Sequence, residues 1–80
     1  MLDINLLNKV SNQLDKVRAK YGDYTSFHES MSVFREENEE LWDECKKKEL
    51  DFDRIEAEII DNIVVLVKMH TDIVVKKNRR

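Results

Sequence analysis

One residue in eighty is glycine, Gly22, and none is proline. A chain with so little backbone punctuation has few places to turn, so long helices with short connections suit it best. "YGDYT" (21–25) is the clearest break, with Gly22 as a natural helix C-cap. Upstream, Leu7, Val10, Leu14 and Val17 recur at three- and four-residue spacing, with Tyr21 next in the series, and predict a first helix over 2–20. Ser26 opens a second helix: Ser26 and Glu29 have capping-box spacing, and Phe27, Met31, Phe34, Leu41 and Cys45 form an apolar stripe. A second junction is expected near 48–51, where the apolar periodicity lapses and Asp51 can cap a third helix. That helix runs from about 52 into the seventies, with Phe52, Ile55, Ile59, Ile63, Leu66, His70 and Ile73 as its core stripe. "IVVLV" (63–67) has the β-branched content of a buried strand, but the stripe continues on both sides and no partner strand exists. The basic tail, about 76–80, is expected to fray. The reading is all-α: one domain over 1–80, an antiparallel bundle of three main helices, completed by oligomerisation because so short a chain buries a modest core.

Charge narrows the function. Charged side chains make up 39% of the chain, as suits helices with polar outer faces. The net charge of −3 conceals an acidic centre: residues 35–61 hold twelve acidic and five basic side chains, a local net of −7. That argues against a nucleic-acid partner and is compatible with a divalent cation. The lone Cys45 excludes an internal disulfide and a cysteine-based zinc site, and fits a reducing, cytoplasmic setting. The N-terminus is polar and acidic within three residues, unlike a secretory signal. The most apolar run, Ile59–Val67, is interrupted by Asp61 and Asn62 and is far too short to span a membrane, so no membrane partner is expected.

"FREENEELWDE" (34–44) concentrates six of the acids. At about 100° per helical residue, Glu36, Glu39 and Asp43 fall opposite the Phe34–Leu41–Cys45 stripe, as a solvated face. Glu37, Glu40 and Glu44 flank that stripe instead, on the side of Val33. On the third helix, the side away from Ile59 carries Ala57, Val64 and Val65 around Asp61, with Glu58 on the edge. A helix apolar on two sides is expected to be covered on two sides, which puts Asp61 at least partly out of water. Glu37 and Glu40 precede the second junction by about as many residues as Glu58 and Asp61 follow it. In an antiparallel hairpin the two i, i+3 pairs would lie at one level, roughly 16 Å from the turn. Converging carboxylates repel one another, and a hard cation such as Mg²⁺ would relieve this. Spacing alone leaves the alternative open: solvated acids, or acids paired with Arg35, Arg54 and Lys46–Lys48.

"EENEE" (36–40) fits E-E-x-x-E and "EIID" (58–61) fits E-x-x-D, with seventeen residues between. With "FREENEELWDECKKK" before and "EAEIIDNIVVLVKM" around the second motif, residues 20–70 resemble the MazG-like all-α nucleoside triphosphate pyrophosphohydrolases. "KYGDYTSFHESMSVFREENEELWDE" is particularly similar to short phage- and prophage-encoded members. The resemblance implies that Glu37, Glu40, Glu58 and Asp61 ligate Mg²⁺, with Mn²⁺ as a substitute; Glu36 is the motif's first acid, but helix rotation puts it outside the cluster. Family members often carry a small residue such as Gly where Glu39 stands; since Glu39 faces solvent in this reading, little harm is expected. It implies hydrolysis of a (deoxy)nucleoside triphosphate to monophosphate and pyrophosphate, with Glu37 or Glu40 orienting or deprotonating the attacking water. No Gly-rich phosphate loop exists, so lysines are expected to help hold the triphosphate. Lys68, two turns beyond Asp61 on the same face, is the first choice, with Lys46, Lys20 and Lys16 behind it. Self-association as a homodimer or homotetramer is expected, because the short chain has no evident fourth helix to close the site. The alternative is a non-catalytic helical oligomerisation or nucleotide-sensing module of the same fold. Trp42 and His70 are assigned to core or subunit-interface packing, His28 to capping or surface, and Cys45 to an inert place on the apolar stripe.

Overall fold

The computed structural model describes residues 3–78. Three helices follow in order: α1 (Ile4–Tyr21), α2 (Phe27–Cys45) and α3 (Phe52–Lys77), with no strand among the described residues. Each begins at a side-chain cap that satisfies a backbone donor left free by helix geometry. Asp3 accepts from Asn5 N, the Ser26 hydroxyl from Glu29 N and Asp51 from Arg54 N. The Glu29 carboxylate turns back to Thr25, whose hydroxyl donates to it at 2.6 Å, rather than to Ser26. Gly22 ends α1 at φ 71°, where a side chain would be strained, and its N–H donates to Arg18 O at 3.0 Å. Leu2, expected in the first helix, and Arg79 and Arg80 of the basic tail lie outside the described residues. Lys76 and Lys77 belong to α3 rather than to a frayed end, and the Lys76 ammonium stands 4.7 Å over the Phe27 ring.

α3 is the packing centre. It lies against both α1 and α2, which do not pack on each other. Its buried hydrophobic residues are Ile60, Val64 and Val65, accompanied by Asn62 and Lys68. This corrects the expected core stripe. Phe52, Ile59, Leu66 and Ile73 are 75%, 41%, 47% and 41% exposed, and His70 is exposed as well. The side of α3 around Val64, Val65 and Asp61, half a turn away from Ile59, is the one its own chain covers. Periodicity reports which faces of a helix are apolar; it does not report which of two apolar faces meets the same chain. α1 buries no residue completely, and Leu7 and Tyr21 at the ends of its stripe are exposed. On α2, Met31, Trp42 and Cys45 are exposed too, so Trp42 and Cys45 pack in no intrachain core. Among the described residues, no helix is long and apolar enough to cross a membrane.

Candidate functional site

α2 and α3 meet through a series of pairs. Arg54 approaches Glu44, Asn62 reaches Glu37, and Lys76 covers Phe27. At the middle of this series three carboxylates converge: Glu37 and Glu40 from α2 and Glu58 from α3 each offer an oxygen within 4.8 Å of the others. The i, i+3 spacing of Glu37 and Glu40 puts both on one face of α2, and α3 supplies the third. Asp61, one turn beyond Glu58, is not within that distance set. It stands at the edge of the cluster, half-buried, and accepts a hydrogen bond from Gln13 Nε2 of α1 at 3.2 Å.

The electrostatics of the cluster are those of uncompensated acids. Partial burial, followed by the charges of Glu40 and Asp61, pushes the Glu37 carboxyl up from 4.5 to about 7. Burial, then Glu40, raises Glu58 against a lowering pull from Arg54. Burial, then Glu40, raises Asp61, and the Gln13 hydrogen bond opposes it. Glu40 is therefore the neighbour common to all three. Glu37 Oε2 and Glu58 Oε2 are buried and have no hydrogen-bond partner. A carboxylate oxygen set with unsatisfied lone pairs and, among the described residues, no basic side chain in salt-bridge contact is the donor chemistry that suits a hard divalent cation.

The other acids sort as the helix rotation requires. Glu36, Glu39 and Asp43 are exposed, and Asp43 pairs with Lys46 at 3.0 Å. Glu44 is buried and accepts from Lys47 at 2.8 Å, with Arg54 at 3.8 Å, so it serves the α2–α3 junction rather than the cluster.

Beside the cluster an open cleft of about 560 Å³ is lined by Gln13, Val17, Tyr24, Glu37, Asp61 and Lys68, among others. It combines an apolar wall of Val17, Val33, Val64 and Val65 with two tyrosine rings, Tyr21 and Tyr24, and a mostly acidic polar rim. Lys68 is 2% exposed; its ammonium donates to the Gly22 carbonyl at 2.8 Å and lies 4.0 Å from the centre of the Tyr24 ring. The lysine thereby ties the α1–α2 connection to α3. Lys46 and Lys20 do not line the cleft; Lys46 is held by Asp43, and Lys20 lies 5.0 Å over the exposed Tyr21 ring. Lys16 borders a separate shallow depression beside α1, and His28 sits exposed in the first turn of α2.

No protein-family model matches the chain, and no curated protein or solved structure is significantly similar to it.

Three residues of this region escape sequence reasoning. Gln13 lies between Val10 and Val17 on α1, so its i, i+3 and i, i+4 spacing was a usable signal. Asn62 interrupts the apolar run of α3, and a polar residue in such a run marks a specific partner. Tyr24 sits in a loop and carries no periodic signal at all.

Proposed function

We propose that this chain is a Mg²⁺-dependent nucleoside triphosphate pyrophosphohydrolase of the MazG-like all-α type, converting a (d)NTP to (d)NMP and pyrophosphate. One observation carries the reading: acids from E-E-x-x-E and E-x-x-D, distant in sequence, converge between α2 and α3, and the buried Oε2 atoms of Glu37 and Glu58 have no hydrogen-bond partner among the described residues. The proposed arrangement of α2 and α3 is the antiparallel hairpin. Its support is that residues further from the 46–51 connection on one helix meet residues further from it on the other.

Glu37, Glu40, Glu58 and Asp61 would hold Mg²⁺. When bound, the ion would neutralise phosphate charge and acidify coordinated water. The residues of the chain do the rest. Gln13 holds the Asp61 carboxylate in place. Glu37 or Glu40, whichever keeps a carboxylate oxygen free of the ion, is assigned to orient the attacking water and accept its proton. That water's oxygen bonds to the α-phosphorus as the bond to the bridging α–β oxygen breaks and pyrophosphate leaves. The cleft beside Glu37 and Asp61 is assigned to the nucleotide. Lys68 is assigned to the phosphates because, of Lys20, Lys46 and Lys68, it alone lines that cleft.

The exposed Phe52, Ile59, Leu66 and Ile73 recur every seven residues along α3 and make one continuous apolar seam. Among the described residues, three hydrophobic side chains are buried: Ile60, Val64 and Val65. Covering the seam with a second copy, as a homodimer or homotetramer, supplies the core that a chain of 80 residues lacks by itself.

The test is direct. The protein is incubated with Mg²⁺ and each common (d)NTP, and the products are identified. Monophosphate and pyrophosphate, lost in Glu40→Gln, support the enzyme. Nucleotide binding without turnover supports the sensing module. No turnover, no nucleotide binding and no response of thermal stability to Mg²⁺ sink both.

A further inference from the structure

Asn62 is 8% exposed, in the middle of α3. Its Nδ2 donates twice: to Glu58 O, one turn back in the same helix, at 2.7 Å, and to Glu37 O of α2 at 3.1 Å. Both acceptors belong to residues whose side chains form the acidic cluster. Its Oδ1 is buried and has no hydrogen-bond partner.

We propose that Asn62 is a positioning residue, whose amide fixes the register of α2 along α3 so that the two sets of acids can share one divalent cation. The inference rests on the cation reading of the cluster. The packing of Ile60, Val64 and Val65 is non-directional, so it tolerates sliding of one helix along the other. A slide of one turn, about 5.4 Å, would carry Glu58 past Glu37 and out of the shared set. A hydrogen bond from a short, buried side chain to a backbone carbonyl of the facing helix tolerates no such slide. A single buried Asn sets register in coiled coils by the same physics.

The energetics separate this role from ordinary stabilisation. Carbonyls inside a helix already accept from the backbone, so removing the amide orphans no acceptor. The unpartnered Oδ1 is a cost that an apolar side chain would not carry. Asn62 is thus a poor choice for stability and a good one for alignment.

The experiment follows Mn²⁺ binding by the loss of the free-ion electron paramagnetic resonance signal, alongside metal-free thermal melts. The proteins are the wild type, Asn62→Leu and Asn62→Ser. A serine hydroxyl can still donate to Glu58 O within α3 but is too short to reach across to α2. Both variants are expected to melt cooperatively, with Asn62→Leu at or above the wild-type midpoint, and to bind Mn²⁺ about tenfold more weakly. Cooperative variants that bind Mn²⁺ as the wild type does overturn the role of Asn62 alone. A wild type that binds no Mn²⁺ overturns the cation reading itself. If Asn62→Leu fails to melt cooperatively, the serine variant decides.

Discussion

Replacing Glu40 by glutamine should stabilise the metal-free protein at pH 8 and at the same time remove its stabilisation by Mg²⁺. Glu40 is the one acid whose charge raises all three neighbours. Glu37 moves from 4.5 to about 7, which at about 1.4 kcal/mol per unit bounds the total cost of ionising it at roughly 3 kcal/mol. Burial is the largest part of that, and the carboxylate is partly exposed, so solvent screening reduces the share due to Glu40. Summed over three neighbours at low salt, the relief is about 1 kcal/mol. For a domain of this size that raises Tm by about 4–8 °C. With Mg²⁺ a hundredfold above its Kd, the wild type gains about 2.7 kcal/mol by mass action, and the variant gains far less. The order of the two midpoints therefore reverses on adding the ion. Circular-dichroism melts at pH 8, with MgCl₂ or NaCl at matched ionic strength, read this directly. A variant that melts below the wild type without metal, and shows the same Mg²⁺ shift, refutes the convergence of carboxylates on Glu40.

Three further outcomes follow from the same geometry. Glu37, Glu58 and Asp61 are all raised, so the metal-free folded state binds more protons than the unfolded chain between about pH 4.5 and 7. Its stability should fall as pH rises through that window, by about 1 kcal/mol after screening, in urea melts with EDTA; a rise across the window contradicts the cluster. Gln13→Leu removes the one hydrogen bond that opposes the upward shift of Asp61, so that carboxyl should titrate higher still in carbon-detected NMR. An unmoved titration would show that Gln13 does not hold it. Under the proposed self-association, Leu66→Glu places a charge in the centre of the exposed α3 seam and should give monomers in light scattering while the acidic cluster stays intact. Wild-type protein that is already monomeric at high micromolar concentration removes the self-association reading.

The helices were legible because their signals are local. Gly22, the caps at Ser26 and Asp51, and the three- and four-residue apolar spacing act within one or two turns, and the observed starts of α2 and α3 follow them. The division of the acidic run was legible for the same reason. Helix rotation separates Glu36, Glu39 and Asp43, all exposed, from Glu37, Glu40 and Glu44; of the second set Glu37 and Glu44 are covered, while Glu40 is exposed although it reaches the cluster. Glu44 shows where rotation stops: it borders the same side as Glu40, but Lys47 and Arg54 at the helix junction claim it.

By itself the sequence determined that this chain is three helices with breaks near 21–25 and 48–51, because caps, glycine and periodicity are properties of neighbouring residues. Only the tertiary structure decided which apolar face of α3 the chain covers. The Ile59–Leu66–Ile73 side and the Val64–Val65 side are both apolar, and the choice belongs to the way α1 and α2 pack on α3. That same choice draws Glu58 to Glu37 and Glu40, and brings Gln13 to Asp61, Asn62 to Glu37, and Lys68 to Gly22 and Tyr24. Contacts between residues 25 to 48 positions apart depend on how whole helices pack, which no local pattern encodes.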